Sequence, residues 1–349
     1  MKKIEVKAER NYEIYVDCDW NTQLLAMVEG RSRVAVIHTE RFKPTISFEC
    51  DAELFYFAVP DGEGAKNLET VSKLWDWLGA AGFTRTDLIV GIGGGAITDV
   101  AGFVASTWLR GIDWVAVPTS VAGMVDASIG GKTGINSDYG KNLIGAFHSP
   151  LAVLIDLSWL STLSDRDFSA GMAEVAKCGF IMDREILNLL SGQSVKSLRS
   201  DRGILVALIE AAASVKACVV TSDFRESFAR EVLNYGHTLG HAIEKHSRYE
   251  LRHGEAISIG LVFAAELSNI NGELSQEIVD LHREILVGLG LPVTYSRSSW
   301  SELLPMLSLD KKTRGTNLRF VAISQIAKTY RLESPTDAEL LLAYERISA

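Results

Sequence analysis

The chain has 349 residues, 47% of them hydrophobic, with 44 acidic against 35 basic side chains and a formal charge of −9. That balance excludes a broadly basic nucleic-acid binder, and the apolar fraction excludes disorder on the scale of the chain. No apolar run is expected to reach the roughly 20 residues of a membrane-spanning helix, and Met1-Lys2-Lys3-Ile4-Glu5-Val6 lacks the apolar stretch of a signal peptide, so a cytoplasmic protein without a membrane partner is expected. Cys18, Cys50, Cys178 and Cys218 form no CxxC pair, which argues against a disulfide framework or a thiolate zinc site; they are expected to be reduced and mostly buried.

In chain order, Ile4 to Val6, Tyr12 to Val16, Val34 to His38, Leu54 to Val59, Leu88 to Ile92, Trp114 to Val117 and Ala152 to Ile155 read as strands rich in β-branched or aromatic residues. Helical spacing falls between them at Asn67 to Ala81 and Asp99 to Arg110. This alternation predicts a Rossmann-like, mostly parallel α/β sheet over residues 1–165, with ligands near the carboxyl ends of its strands. Beyond it, Phe168 to Phe180, Gly203 to Val220, Glu231 to Lys245, Glu255 to Leu267 and Gln276 to Val287 have long helical periodicities. They predict a mostly α-helical second domain over residues 166–349. No internal repeat or proline-rich linker is visible.

Several stretches carry chemistry. The loop Asp61-Gly62-Glu63-Gly64-Ala65-Lys66 follows a strand, and its charges could hold ribose hydroxyls as well as face solvent. Gly91-Ile92-Gly93-Gly94-Gly95-Ala96-Ile97-Thr98-Asp99 runs from strand to helix and fits G-x-G-x-x-A, where missing side chains let backbone N–H groups approach a pyrophosphate at the helix's positive end. The ribose-binding acid expected at the end of the next strand is missing, since Asp113 precedes that strand. Gly130-Gly131-Lys132-Thr133 and Gly140-Lys141-Asn142 place cations in glycine-rich segments without the spacing of a P-loop.

In the second half, Glu226, Arg230, Asn234, His237 and His241 are spaced 4, 4, 3 and 4, which on a continuous helix puts all five on one face. Gly236 and Gly240 border the histidines, at a cost in helix stability that points to a close approach. His237 and His253, 16 residues apart, could join a carboxylate in a three-ligand divalent metal site with an open position. Glu174, among small residues and one turn from Lys177, is the best third ligand; His237 with His241 at i and i+4 is an alternative pair that spacing does not exclude. Lys216 continues the apolar stripe Leu205, Leu208, Ala212, so it either snorkels to water or faces an anionic ligand.

Taken together, these stretches resemble the 3-dehydroquinate synthase family over nearly the whole chain. The resemblance is carried by Asp61 to Glu63 with Lys66, Gly93 to Asp99, Pro118-Thr119-Ser120, Met124-Val125-Asp126, Ser128 to Asn136 and Gly140-Lys141-Asn142. It continues through Ala173-Glu174-Val175-Ala176-Lys177, Asn234 to His241, His253-Gly254-Glu255 and Asp310-Lys311-Lys312. It implies an NAD-dependent, zinc- or cobalt-requiring carbon–oxygen lyase of the shikimate pathway. Such an enzyme converts 3-deoxy-D-arabino-heptulosonate 7-phosphate into 3-dehydroquinate and phosphate, with the substrate's own phosphate oxygen as base in the elimination.

By the same resemblance, Glu174, His237 and His253 are metal ligands and His241 becomes a substrate contact. Asp61, Gly62, Glu63, Gly64, Ala65, Lys66, Gly95, Ala96, Ile97, Thr98, Asp99, Thr119, Ser120, Lys132, Lys141, Trp159, Leu160, Ser161 and Thr162 form the NAD site. Lys132, Asn142, Asn234, His241 and a lysine of the Lys311–Lys312 pair, taken as Lys312, surround the phosphate, and Lys177, Lys216, Glu226 and Arg230 complete the pocket. Arg110 reaches the neighbouring subunit's site, which implies a homodimer. Related cyclases share fold, cofactor and metal but close sugar phosphates without a carboxylate. Lys216 and Arg230 favour the carboxylate-bearing substrate, since a guanidinium suits bidentate binding. Thr98 in the glycine loop and Ser120 depart from the family's usual residues. An NAD-dependent metal polyol dehydrogenase and an NAD-holding scaffold are the rival readings.

Overall fold

A computed structural model describes residues 1–224, 229–314 and 318–349, apart from the side chains of 229 and 308–314. The chain forms two compact units, Met1–Leu163 with Lys216–Arg225, and Ser164–Val215 with Glu226–Ala349.

The first unit contains, in order, β1 (Lys2–Val6), β2 (Tyr12–Val16), α1 (Trp20–Val28), β3 (Arg33–Thr39), β4 (Glu53–Val59), α2 (Leu68–Ala80), β5 (Leu88–Gly93), α3 (Gly95–Thr107), β6 (Asp113–Pro118), β7 (Lys132–Ser137), β8 (Gly140–Phe147) and β9 (Ala152–Ile155). Seven strands make one sheet in the order β1-β2-β9-β6-β5-β3-β4, parallel except for the β1–β2 pair. The expected α/β sheet is therefore present. β5, Leu-Ile-Val-Gly-Ile-Gly, is buried along its whole length, as a central parallel strand covered on both faces must be. Leu24 and Val28 of α1 pack with Val34, Val36, Val90, Ile92, Val115, Val117 and Leu154 in the core below one face. Strand order reverses between β3 and β5, and ligands of open α/β sheets bind beyond the carboxyl ends of strands at such a switch.

The second unit contains α4 (Asp165–Ile181), α5 (Arg184–Leu190), α6 (Val195–Ser200), α7 (Arg202–Ser222, assigned to the first unit from Lys216 on), α8 (His237–His246), α9 (His253–Ile270), α10 (Gln276–Gly288), α11 (Trp300–Arg314), the hairpin β10 (Arg319–Gln325) and β11 (Lys328–Glu333), and α12 (Asp337–Arg346). α9 is its central helix, and every residue from Ala256 to Ser268 is buried. A helix apolar all round has to be enclosed by others.

Five expectations need correction. α3 starts at Gly95 rather than Asp99, so the last glycine of the loop already lies in the first helical turn. The polar stripe does not lie on one helix: Ala229–Asn234 is a 3-10 helix and α8 begins only at His237, with Gly236 left-handed between them at φ 78°. Leu261 N lies 2.8 Å from where a Cβ on Gly236 would stand, so the break also admits α9. The glycine-rich segments Gly130 to Thr133 and Gly140 to Asn142 carried no strand expectation, yet Lys132–Ser137 and Gly140–Phe147 pair as a hairpin in which a Cβ on Gly145 would collide with Thr133 O. By length and composition alone α7 is apolar enough to cross a membrane, contrary to the expectation, although 56% of its apolar window is buried inside the protein. Finally, the cysteines are free, but Cys18 and Cys178 alone are buried; Cys50 is half-buried and Cys218 exposed.

Candidate functional site

In the first unit, four segments emerge from the carboxyl ends of parallel strands: Asp61 to Lys66 after β4, Gly94 to Asp99 after β5, Thr119 and Ser120 after β6, and Trp159 to Thr162 after β9. The topology thus puts every sequence-predicted dinucleotide segment, apart from the hairpin lysines, at one edge of the sheet. Gly94 caps α3 without a side chain, leaving the first amides of that helix to backbone or ligand partners. Gly93 serves packing as well, because its Cβ would lie 2.6 Å from Ile97 Cβ. Ile97 and Thr98 are each 1% exposed, and the Thr98 hydroxyl donates to Gly95 O, so both could serve a ligand only through their backbone. Asp113 lies at the amino end of β6, paired with Arg31 at 2.7 Å, and is structural.

Lys66 ties this edge to the hairpin. Its ammonium is buried and donates to both Asp99 and Asn142. Asn142, left-handed at φ 58°, donates its N–H to Asn136 Oδ1 at 2.9 Å, and Asn136 Nδ2 donates to Glu63 Oε2 at 2.8 Å. Burial pushes the Asp99 carboxyl up to about 6, against the opposing pull of the Lys66 ammonium. Asp61 accepts from Thr39 Oγ1 at 3.0 Å and pairs with Arg41 at 2.8 Å. The Ser161 and Thr162 hydroxyls donate to Ser158 O and Trp159 O, whereas the indole N–H of Trp159 is buried without a partner. Ser120 Oγ accepts from Gly123 N at 3.2 Å. Lys132 is exposed and Lys141 half-buried on the hairpin. Lys216 is 7% exposed and ion-paired with Asp126, so it neither snorkels to bulk water nor stands in a purely apolar seam.

In the second unit, Glu174 on α4, His237 at the start of α8 and His253 at the start of α9 converge. His237 Nε2 is 3.5 Å and His253 Nε2 3.4 Å from Glu174 Oε1, and that oxygen is buried with no hydrogen bond. A tetrahedral ion with bonds of about 2.0–2.1 Å separates its donors by roughly 3.3–3.5 Å, so both spacings to Glu174 Oε1 suit a divalent cation of the zinc type. Each of these three side chains is anchored from behind. The other oxygen of Glu174 pairs with Lys177, His237 Nδ1 donates to Tyr235 O at 3.1 Å, and His253 Nδ1 donates to Glu244 Oε2 at 2.9 Å.

The electrostatics follow this arrangement. Burial raises the Glu174 carboxyl, but Lys177 and the two imidazoles outweigh it and hold the group well below the usual carboxylate range. Burial, helped by the Lys177 charge, pushes His237 well down. Burial also opposes charge on His253, yet the neighbouring carboxylates of Glu174 and Glu244 lift it to about 10. An ion entering the cluster therefore displaces a proton there.

His241 lies one turn beyond His237, its ring centroid 5.2 Å from that of His237 and 5.9 Å from that of His253. Arg230 is buried and Asn234 half-buried on the 3-10 helix that precedes α8. Arg110 is exposed on a turn in which Leu109, Arg110 and Gly111 are all left-handed. Glu226 and the side chains of Lys311 and Lys312 lie outside the described residues. Two residues escaped the sequence reading as site groups. Asp126 was visible only as a motif member, and its pairing with Lys216 spans 90 positions. Glu244 left a local signal, since it follows His237 by seven residues and so shares its helix face.

An α/β unit with loops at its sheet's carboxyl edge, joined to a helical unit bearing a His-His-Glu cluster, is the architecture of sugar phosphate cyclases. The 2-epi-5-epi-valiolone synthase ValA from Streptomyces hygroscopicus subsp. jinggangensis 5008, solved with NAD+ and Zn2+ bound, superimposes with a TM-score of 0.86 at 25% identity, over 99% of this chain and 98% of its own. Within that class, the family description "3-dehydroquinate synthase N-terminal" matches residues 56–170 and "3-dehydroquinate synthase C-terminal" matches residues 171–313. The 3-dehydroquinate synthase of Thermobifida fusca (strain YX) is 49% identical over 97% of this chain and 94% of its own. That of Corynebacterium diphtheriae is 46% identical over 100% and 99%. The chain belongs to the 3-dehydroquinate synthase family.

Proposed function

We propose that this 3-dehydroquinate synthase family member converts 3-deoxy-D-arabino-heptulosonate 7-phosphate into 3-dehydroquinate and phosphate with NAD held by the first unit and a divalent metal, zinc or cobalt, held by Glu174, His237 and His253. The observation that carries the metal assignment is the unpartnered, buried Glu174 Oε1 with two imidazole Nε2 atoms within 3.5 Å of it. When bound, the metal supplies Lewis acidity at the oxygens of the reacting carbon, and NAD supplies a transient hydride acceptor without net redox change. NAD is also a ligand of the solved ValA structure, which supports its assignment here.

The chain's own residues bind and orient. The amides at the start of α3 face the pyrophosphate, with Asp61, Glu63 and Lys66 on the ribose side. Lys177 keeps Glu174 ionised, so that ligand stays charged at neutral pH. Lys132, Asn142, Asn234, His241 and Lys312 hold the phosphate, and its own oxygen takes the proton when it leaves by β-elimination. Lys216 and Arg230 take the carboxylate that distinguishes this substrate from those of other sugar phosphate cyclases; a guanidinium can grip it with two parallel hydrogen bonds. Held cations replace water around both anionic groups. The enzyme works in the cytoplasm as a homodimer, with Arg110 reaching the partner's site.

The test is an assay with the heptulosonate phosphate, NAD and Zn2+. Phosphate and dehydroquinate should form in equal amounts with no accumulating NADH, chelation should abolish turnover, and Zn2+ or Co2+ should restore it. Steady production of NADH from simple polyols, with no phosphate release, would instead identify a dehydrogenase.

A further inference from the structure

We propose that Glu244 is the positioning residue of the metal centre, its carboxylate fixing which nitrogen of His253 meets the ion and where that nitrogen points. The inference deepens the metal reading above and rests on it. The three ligands are unequally secured. Glu174 is 2% exposed, with Lys177 against its second oxygen. The His237 side chain is 12% exposed, and its Nδ1 donates to the main-chain carbonyl of Tyr235, a partner that no side-chain substitution at that position removes. Tyr235 is itself wholly buried, with its hydroxyl bonded to His282 Nε2 at 2.9 Å.

His253 is different. It is the first residue of α9 and its side chain is 40% exposed, so burial holds this ring less than it holds Glu174 or His237. Its Nδ1–H donates to Glu244 Oε2 at 2.9 Å, from a carboxylate that is only 6% exposed. This bond occupies Nδ1 and leaves Nε2, 3.4 Å from Glu174 Oε1, as the nitrogen that can meet an ion. A carboxylate behind a ligating histidine also raises the basicity of the ligating nitrogen. Without it, the exposed ring could rotate about χ2 and present either nitrogen or neither. Glu244 reaches this position because it stands on the His237 face of α8, so one helix supplies a ligand at its first residue and the orienter of another ligand seven residues later.

A competing role exists, since His241, Glu244 and His253 also have donor atoms within 4.8 Å of one another, and Glu244 could itself ligate a second ion. The experiment uses the full chain as wild type, Glu244→Gln and Glu244→Ala, each titrated with Zn2+ and Co2+ against a chromophoric chelator. The Co2+ absorption bands are recorded, and far-ultraviolet circular dichroism establishes folding. One ion per wild-type chain is expected. Glu244→Ala should weaken binding by roughly 10–100-fold and alter the Co2+ bands. Glu244→Gln keeps an acceptor but no charge and should fall between; it decides the matter if Glu244→Ala does not fold. Folded variants with wild-type affinity and wild-type Co2+ bands would overturn the positioning role, as would two ions per wild-type chain of which the variants lose one. A wild type that binds no ion would instead overturn the metal reading itself.

Discussion

At the scale of single residues, burial decides how His282 titrates. His282 is 0% exposed, stacks on Phe180 with ring centroids 3.5 Å apart, donates from Nδ1 to Ile278 O at 2.7 Å and accepts the Tyr235 hydroxyl at Nε2. Burial therefore pushes its pKa down from 6.5 to about 3. The sign follows by linkage: the unfolded chain takes up a proton below about pH 6.5 that the folded protein refuses until about pH 3, so stability present above 6.5 is lost as pH falls through this window. Urea midpoints measured from pH 7 to pH 4 should fall more steeply for the wild type than for His282→Phe. The variant should be less stable at pH 7 by about 1–3 kcal/mol, because the Tyr235 hydroxyl loses its acceptor. Equal slopes would remove His282 as a source of acid sensitivity. The same reasoning separates it from His237 and His253, whose Nε2 atoms face an open carboxylate oxygen instead of a satisfied hydroxyl.

At the scale of elements, periodic burial was legible and breaks in it were not. The seven strands of the main sheet read correctly within one or two residues at each end, because a β-branched run between turn formers has few alternatives. The β7–β8 hairpin was missed because Gly130, Gly131, Gly134, Gly140 and Gly145 resemble loop glycines; Gly134 and Gly145 are there because the strands come too close for a Cβ. The stripe from Arg230 to His241 kept helical spacing across a 3-10 helix and a left-handed Gly236, so the spacing alone suggested one helix where two elements stand. Gly236→Ala should be costly for two additive reasons, the positive φ and the collision with Leu261. Gly82→Ala, at φ 69° with open space around it, meets the first reason alone. Denaturation should place Gly82→Ala about 1 kcal/mol below wild type and Gly236→Ala roughly 1–3 kcal/mol lower still. Comparable losses would mean that α9 does not require the close approach.

At the scale of the whole molecule, the exposed turn at Leu109, Arg110 and Gly111 invites a test of assembly. Three successive left-handed residues, two of them not glycine, are held there with Arg110 facing outwards. Such strain persists where the surrounding structure enforces it. If Arg110 serves the partner's site, Arg110→Ala subunits mixed with His237→Ala subunits should regain part of the wild-type turnover, since one of the two sites in a mixed dimer then has both groups. Sedimentation should show a dimer for all three proteins. Heterodimers of proven composition without recovered turnover would restrict Arg110 to its own chain.

What the amino-acid order determined alone was local and modular: strand and helix periods, a glycine turn between β5 and α3, and the ordered motifs that mark the family. These signals lie within a turn or two of chain, where spacing maps directly onto geometry. Only the tertiary structure decided that Lys66 is buried between Asp99 and Asn142, that Lys216 meets Asp126, and that Glu244 stands behind His253. The first two arise from chain closure, which brings together groups 33, 76 and 90 positions apart. In the third, Glu244 and His253 are nine positions apart on successive helices, and the turn between the helices sets the angle at which the carboxylate meets the ring.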